Sequence, residues 1–320
     1  MTDRYLADRY VNPYTDFGFK MLFGTEVNKD LLISFVNSLF NGKEVIKELT
    51  YLNAEHLGTS ESDRRAVFDV YCKNEKGERI LIEMQKAEQQ FFKDRSVFYS
   101  TFPIREQGQK GDWNYRLKAV YVIGILNFCF DDVHDNYFHH EVKLMDTATK
   151  EVFYDKLTFI YLEVPKFNKT EKEICATSSL FDKWMFVLRN LSRLMERPAA
   201  LQERVFTKLF EAAEIAHFTK KQYDEYEDSL KVYRDWKNVL DTAEKKAKEK
   251  GLAEGRAEGR AEGRAEGRAE GRAEGRAEGR AEGRAEEKLE SARRMLRKGF
   301  SVDDIAEITG LDRSIIEREC

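Results

Sequence analysis

Asp69, Glu83 and Gln85 are the residues of this chain whose types and spacing could do chemistry. They lie in Ala66–Gln85, AVFDVYCKNEKGERILIEMQ. That stretch reads as two short strands joined by the polar turn Asn74-Glu75-Lys76-Gly77. Side chains alternate between the faces of a strand. Phe68, Val70 and Cys72 therefore share one face of the first strand, and Ile80, Ile82 and Met84 one face of the second. The other face carries Asp69 and Tyr71, then Leu81, Glu83 and Gln85. Symmetric pairing about the turn sets Asp69 across from Glu83. Carboxylates placed opposite each other repel, and a divalent cation between them turns that repulsion into binding. The same alternation also describes an ordinary hairpin with one face in water. The hairpin alone leaves both readings open.

The elements that must position these residues follow from the hydrophobic pattern. NPYTDFGFKMLFG (12–24) is dense in aromatics. Thr15 or Asp16 caps a helix starting near Phe17, and Asp16 and Lys20 stand at i,i+4. Asp16 reads either as a simple cap or as a further acidic group near a metal. Glu26 to Phe40 is a helix by the spacing of Leu32, Phe35, Val36, Leu39 and Phe40. Val45 to Leu52 fits a helix end or a strand. Arg64 and Arg65 enter the hairpin from a polar segment. Lys86 to Phe102 is expected to be a helix carrying Lys93 and Arg95, limited by Pro103. Leu117 to Phe130 is apolar on both faces, as a central strand is. Strands at His139–Met145 and Leu157–Val164 and helices at Thr177–Met195 and about Ala200–His217 complete an α/β layer architecture.

Composition narrows the classes. With 320 residues, 42% hydrophobic and 35% charged, the chain can build one core of about 200 residues plus an appendage. A net charge of −4 gives no global basic signal, so any nucleic-acid contact must come from a local patch. The four cysteines, Cys72, Cys129, Cys175 and Cys320, are scattered without CxxC and read as reduced thiols of a cytoplasmic protein. The histidines lack zinc-site spacing with cysteine. MTDRYLADRY has no apolar core of a secretory signal, and Val120–Phe130 is too short to span a bilayer.

In order along the chain, NPYTDFGFKMLFG, the FDV of Phe68–Val70, the IEMQ of Ile82–Gln85, GDWNYRLKAVYVIGILNF and LEVPKF resemble the PD-(D/E)XK nuclease superfamily. Within it they resemble the Rpn-type recombination-promoting nucleases, also called PD-(D/E)XK nuclease family transposases. The resemblance covers roughly residues 10–215 and continues at the C-terminus. It implies a restriction-endonuclease-like mixed sheet flanked by helices, and a metal-dependent DNA endonuclease tied to recombination or mobile elements. Asp69, Glu83 and the Met84 backbone carbonyl would hold Mg²⁺ (or Mn²⁺ or Ca²⁺), and Asp16 would add an outer or second-metal contact. Gln85 stands where lysine is usual in the superfamily. It can orient water by hydrogen bonds but brings no positive charge. Lys20, Arg64, Arg65, Lys93 and Arg95 are the candidate DNA contacts. The alternative is a catalytically weak or inactive adaptor that keeps the fold and binds partners through its tail.

The nuclease-like region is expected over 1–218. Residues 219–250 form an amphipathic helix with a near-heptad stripe (Tyr223, Tyr226, Leu230, Tyr233, Trp236, Leu240) that docks on the core or pairs with a second chain. Eight perfect Ala-Glu-Gly-Arg repeats fill Ala253–Arg284, within a spacer at 251–284. Glycine costs about 1 kcal/mol per residue against alanine, and like charges meet at i,i+4. A helix exchanging with coil is expected there. Residues 285–320 form a small helix-turn-helix-like module, with Ser301 and Asp312 as caps and Ile305, Ala306 and Ile308 facing inward. Residues 301–320 hold six acids against Arg313 and Arg318, the reverse of a DNA-reading helix. Homo-oligomerisation through the C-terminal helices is the partner reading for the tail, and no membrane partner is expected.

Overall fold

A computed structural model describes residues 8–40, 42–56, 66–109, 111–130 and 137–320. The chain divides into two compact units, Met1–Lys237 and Asn238–Cys320.

In the first unit, α1 (Asp16–Phe23) and α2 (Lys29–Phe40) precede the strands β1 (Leu49–Tyr51), β2 (Glu55–His56), β3 (Ala66–Val67), β4 (Val70–Asn74) and β5 (Arg79–Gln85). Then come α3 (Phe92–Arg105), β6 (Val120–Leu126), β7 (His139–Met145), β8 (Val152–Glu163), α4 (Leu180–Asn190) and α5 (Arg204–Ala213). The main sheet runs β1-β4-β5-β6-β8-β7. β5, β6 and β8 are parallel, and the other neighbours are antiparallel. This is the mixed sheet flanked by helices that the sequence pattern implies. β6 lies between two parallel partners, which is why Val120–Leu126 is apolar on both faces. One side of the sheet packs Val70, Cys72, Ile80, Ile82 and Ile123 against Phe23, Phe35 and Trp184 of α1, α2 and α4.

Several expectations change in detail. The chain after β5 does not enter a helix at Lys86: α3 begins at Phe92, after Phe91 turns the backbone with φ +68°. Pro103 sits inside α3. It lies in the last turn, where its missing N–H costs a single intrahelical bond. Phe68 does not join Val70 and Cys72. The strand breaks between Val67 and Val70, so Phe68 packs with Tyr71, Leu81 and Phe102. The ambiguous 45–52 segment yields the short β1.

The long helix α6 (Lys220–Arg297) starts in the first unit. Its early turns dock there: Tyr226 and Leu230 are buried in the core, and the Tyr226 hydroxyl accepts from the Asn12 N–H at 3.0 Å. Val232 and Val239 remain exposed. The Ala-Glu-Gly-Arg repeats lie within the bounds of α6, and every repeat residue is exposed. In the second unit the end of α6 packs with α7 (Val302–Thr309) and α8 (Arg313–Glu319) around Ala292, Ile305 and Ile316. Ser301 and Asp312 cap α7 and α8 through their side chains. Ile308 does not face inward but is 62% exposed. Among the described residues, no helix is long and apolar enough to cross a membrane.

Candidate metal and catalytic site

The β4–β5 register pairs Val70 with Ile82, and one step further it brings Asp69 opposite Glu83. The face that carries them is not bathed in water. Tyr71 and Leu81 are buried under Phe102 of α3, and the Tyr71 hydroxyl donates to Glu106 Oε2 at 2.6 Å. The solvated-face reading of the hairpin fails because α3 covers it. Gln85 is buried there, and Glu83 and Asp69 are half-buried.

Each polar group there is held by a specific partner. The Met84 N–H donates to Asp69 Oδ2 at 2.7 Å. Gln85 Nε2 donates to Glu83 Oε2 at 3.0 Å. Arg95, one turn into α3, donates to Gln85 Oε1 and to Gln89 Oε1. Its guanidinium lies 5.8 Å from the Phe92 ring centre and 5.7 Å from that of Tyr99, so the aromatic faces hold it in place. Burial raises the Asp69 carboxyl above its ordinary range, the Asp16 charge adds to this, and the Met84 N–H, Lys20 and Lys86 oppose it. Burial also raises Glu83, followed by the Asp69 charge, while Arg95 pulls the other way.

The residues present fit a divalent cation. Glu83 Oε1 is buried and has no hydrogen-bond partner. A carboxylate oxygen left bare beside a second carboxylate is costly, and either a proton, which the raised Glu83 ionisation favours, or a bound cation removes the cost. Among the described residues, no group of three or more His, Cys, Asp and Glu stands close enough to hold a metal by itself. The Asp69 and Glu83 carboxylates, with backbone and water oxygens to complete the shell, would suit Mg²⁺.

The other expected residues divide. Asp16 and Lys20 pair at 3.0 Å and, with Asp69 and Glu225, line a cavity of about 570 Å³. Asp16 therefore shares a cavity with Asp69 and caps nothing, because Thr15 is the N-cap and accepts from the Gly18 N–H. Arg95, read from the sequence as a DNA contact, donates to Gln85 and Gln89. Lys93 lies over the Phe130 ring at 5.0 Å, on the same helix but away from the Gln85 cluster. Arg64 and Arg65 lie outside the described residues. Sequence reading placed Arg95 on the right helix and missed its partner. A lone arginine ten positions after Gln85 gives no sign of facing it until the turn at Phe91 is known.

A family model described as PD-(D/E)XK nuclease family transposase matches residues 13–243. No curated protein and no solved structure matches the chain.

Proposed function

The chain belongs to the PD-(D/E)XK nuclease family transposases, and from that membership we propose that it is a metal-dependent DNA endonuclease acting in recombination or mobile-element biology. The observation that carries the proposal is the half-buried Asp69/Glu83 pair, in which Glu83 Oε1 is buried without a hydrogen-bond partner. Asp69, Glu83 and the Met84 carbonyl would hold Mg²⁺ or Mn²⁺. When bound, the ion supplies Lewis acidity toward the scissile phosphate and toward water.

The chain's own residues do the rest. The Met84 N–H fixes the Asp69 carboxylate. Gln85 fixes Glu83 through Nε2 and is itself fixed by Arg95. Gln85 lacks the positive charge of the usual lysine, and this departure is the main support for a non-catalytic adaptor. Arg95 answers it: a permanent, half-buried cation is attached to Gln85 by a hydrogen bond, where charge acts more strongly than in bulk water. A fixed positive group beside a phosphate gaining charge is what electrostatic catalysis needs. Asp16, across the shared cavity from Asp69, is the candidate for an outer contact.

The test is cleavage of supercoiled plasmid with Mg²⁺, Mn²⁺ or Ca²⁺. Asp69→Ala and Glu83→Ala are each expected to abolish metal-dependent nicking with the far-ultraviolet circular dichroism unchanged. Full activity in either variant would refute the assignment.

A further inference from the structure

A second cavity, of about 200 Å³, shares no lining residue with the Asp16/Asp69 cavity. It sits at the carboxyl ends of the parallel strands β6 and β8. Its walls come from distant points of the chain. Asn12 and Tyr14 belong to the turn before α1, Asn127 follows β6, Arg189 is in the last turn of α4, and Ser192 and Arg193 follow it. At about 30 Å³ per water, the space equals roughly six or seven waters.

Two donors of its lining residues are buried without an acceptor. Tyr14 is 6% exposed, and its Oη has no hydrogen-bond partner; Arg189 Nη1 is likewise buried and unpartnered. Burial pushes the Tyr14 phenol up, so it keeps its proton and remains an O–H donor. Native proteins seldom leave buried donors unmet, because each then carries its full desolvation cost. The two arginines stand four residues apart, a spacing at which like charges repel. Among the described residues, no aspartate or glutamate lines the cavity. Two guanidinium groups, a buried phenol, a serine hydroxyl and two amides thus converge with nothing negative among them.

We propose that this cavity is a phosphate-binding site, in which Arg189, Arg193 and the Tyr14 hydroxyl hold the oxygens of a phosphate mono- or diester. The planar guanidinium fork matches phosphate oxygens in pairs, and the phenol supplies a further donor from the cavity wall. The phosphate can come from the backbone of a bound nucleic acid or from a free phosphate. The first source rests on the endonuclease reading; the anion site itself does not. A structural link favours the backbone source. The Asn127 N–H donates to the Gln85 carbonyl at 2.9 Å, so the cavity wall is joined to the strand that bears Glu83 and Gln85. Thr15, adjoining Tyr14, caps the helix that begins with Asp16. A strand laid across this end of the sheet would place a flanking phosphate in the cavity.

The experiment uses the full chain as wild type, as the double variant Arg189→Gln/Arg193→Gln and as Tyr14→Phe. In the first arm, inorganic phosphate is added against chloride at matched ionic strength and the melting temperature is read. Phosphate is expected to raise the wild-type value and to leave the double variant unmoved. Tyr14→Phe is expected to melt no lower than wild type without phosphate, since it deletes an unpaired buried hydroxyl, yet to gain less from phosphate. That split separates ligand binding from a merely structural role. In the second arm, anisotropy measures binding of a duplex of about 20 bp in EDTA. Loss of about tenfold in affinity in the double variant, with a salt slope shallower by about 0.9, identifies a backbone phosphate as the ligand. Unchanged duplex affinity beside an intact phosphate effect identifies a free phosphate. No phosphate effect on the wild-type melting temperature overturns the site. Failure of the wild type to bind the duplex at all counts against the endonuclease proposal and leaves the first arm to decide this one.

Discussion

Glu83→Gln should flatten the fall in stability that the metal-free protein shows as pH rises, while removing its activity. Burial and the Asp69 charge raise the Glu83 ionisation above its ordinary value of 4.5. Above that pH the unfolded chain releases the proton and the folded protein keeps it. The folded state then binds more protons than the unfolded one, so stability present at low pH is lost as pH climbs toward the raised value. One proton gives a slope of at most about 1.4 kcal/mol per pH unit. Between about pH 5 and about pH 7 that amounts to roughly 2.7 kcal/mol, or on the order of 5–10 °C of melting temperature for a unit of this size. Asp69 is raised too and acts in the same direction. Carboxylates held low, such as Glu141 beside Lys143 and Lys43, act oppositely, losing their stabilisation as pH falls, and cancel when the variant is subtracted from wild type. Glutamine keeps the shape and an oxygen for the Gln85 amide. Its extra amide hydrogens shift the absolute level of stability rather than its slope. Calorimetric melting in EDTA at several pH values is the assay. Parallel curves for the two proteins would refute the reasoning, because they would mean that Glu83 ionises alike in folded and unfolded chains.

Three further outcomes follow from contacts on the same scaffold. Arg95→Ala should lower kcat by about 10²-fold with a smaller change in KM, and Arg95→Lys should not restore it, since an ammonium cannot hold Gln85 and Gln89 with one planar fork; steady-state cleavage rates decide this. Tyr226→Phe strips the buried Asn12 N–H of its acceptor and should cost about 1–3 kcal/mol in urea unfolding of the first unit. Gly18→Ala would drive a methyl to 2.2 Å from the Asn12 carbonyl oxygen, and a loss of about 1–3 kcal/mol or more is expected by the same measurement.

The hairpin register was readable because alternation and a polar turn fix it together: a slip of one residue would send every side chain to the wrong face. The central strand was readable for a similar reason, since only burial on both faces tolerates AVYVIGILNF. What covers a face was not readable. Tyr71 and Leu81 look like a solvent face until α3 lays Phe102 on them. The Phe68 misplacement comes from a strand break at Phe68-Asp69 that alternation cannot show. The start of α3 depends on a left-handed turn at Phe91, a residue with no propensity for it, and the Arg95–Gln85 contact depends on that turn. The glycine penalty in the Ala-Glu-Gly-Arg repeat argues for partial melting, whereas the repeat continues α6 without a break. Asp16 shows the limit of local motifs: its neighbour Thr15 takes the capping role, and Asp16 is left on the wall of a cavity that α1 shares with Asp69 and with Gln222, Glu225 and Ser229 of α6.

Calorimetric titration of the metal-free protein with Mn²⁺ tests the central claim most directly, because it needs no knowledge of the DNA target. The account predicts stoichiometric binding to wild type, accompanied by proton release as Glu83 gives up its raised proton, and loss of that binding in Asp69→Asn. Equal Mn²⁺ affinity in wild type and Asp69→Asn, or no binding by either, would contradict it.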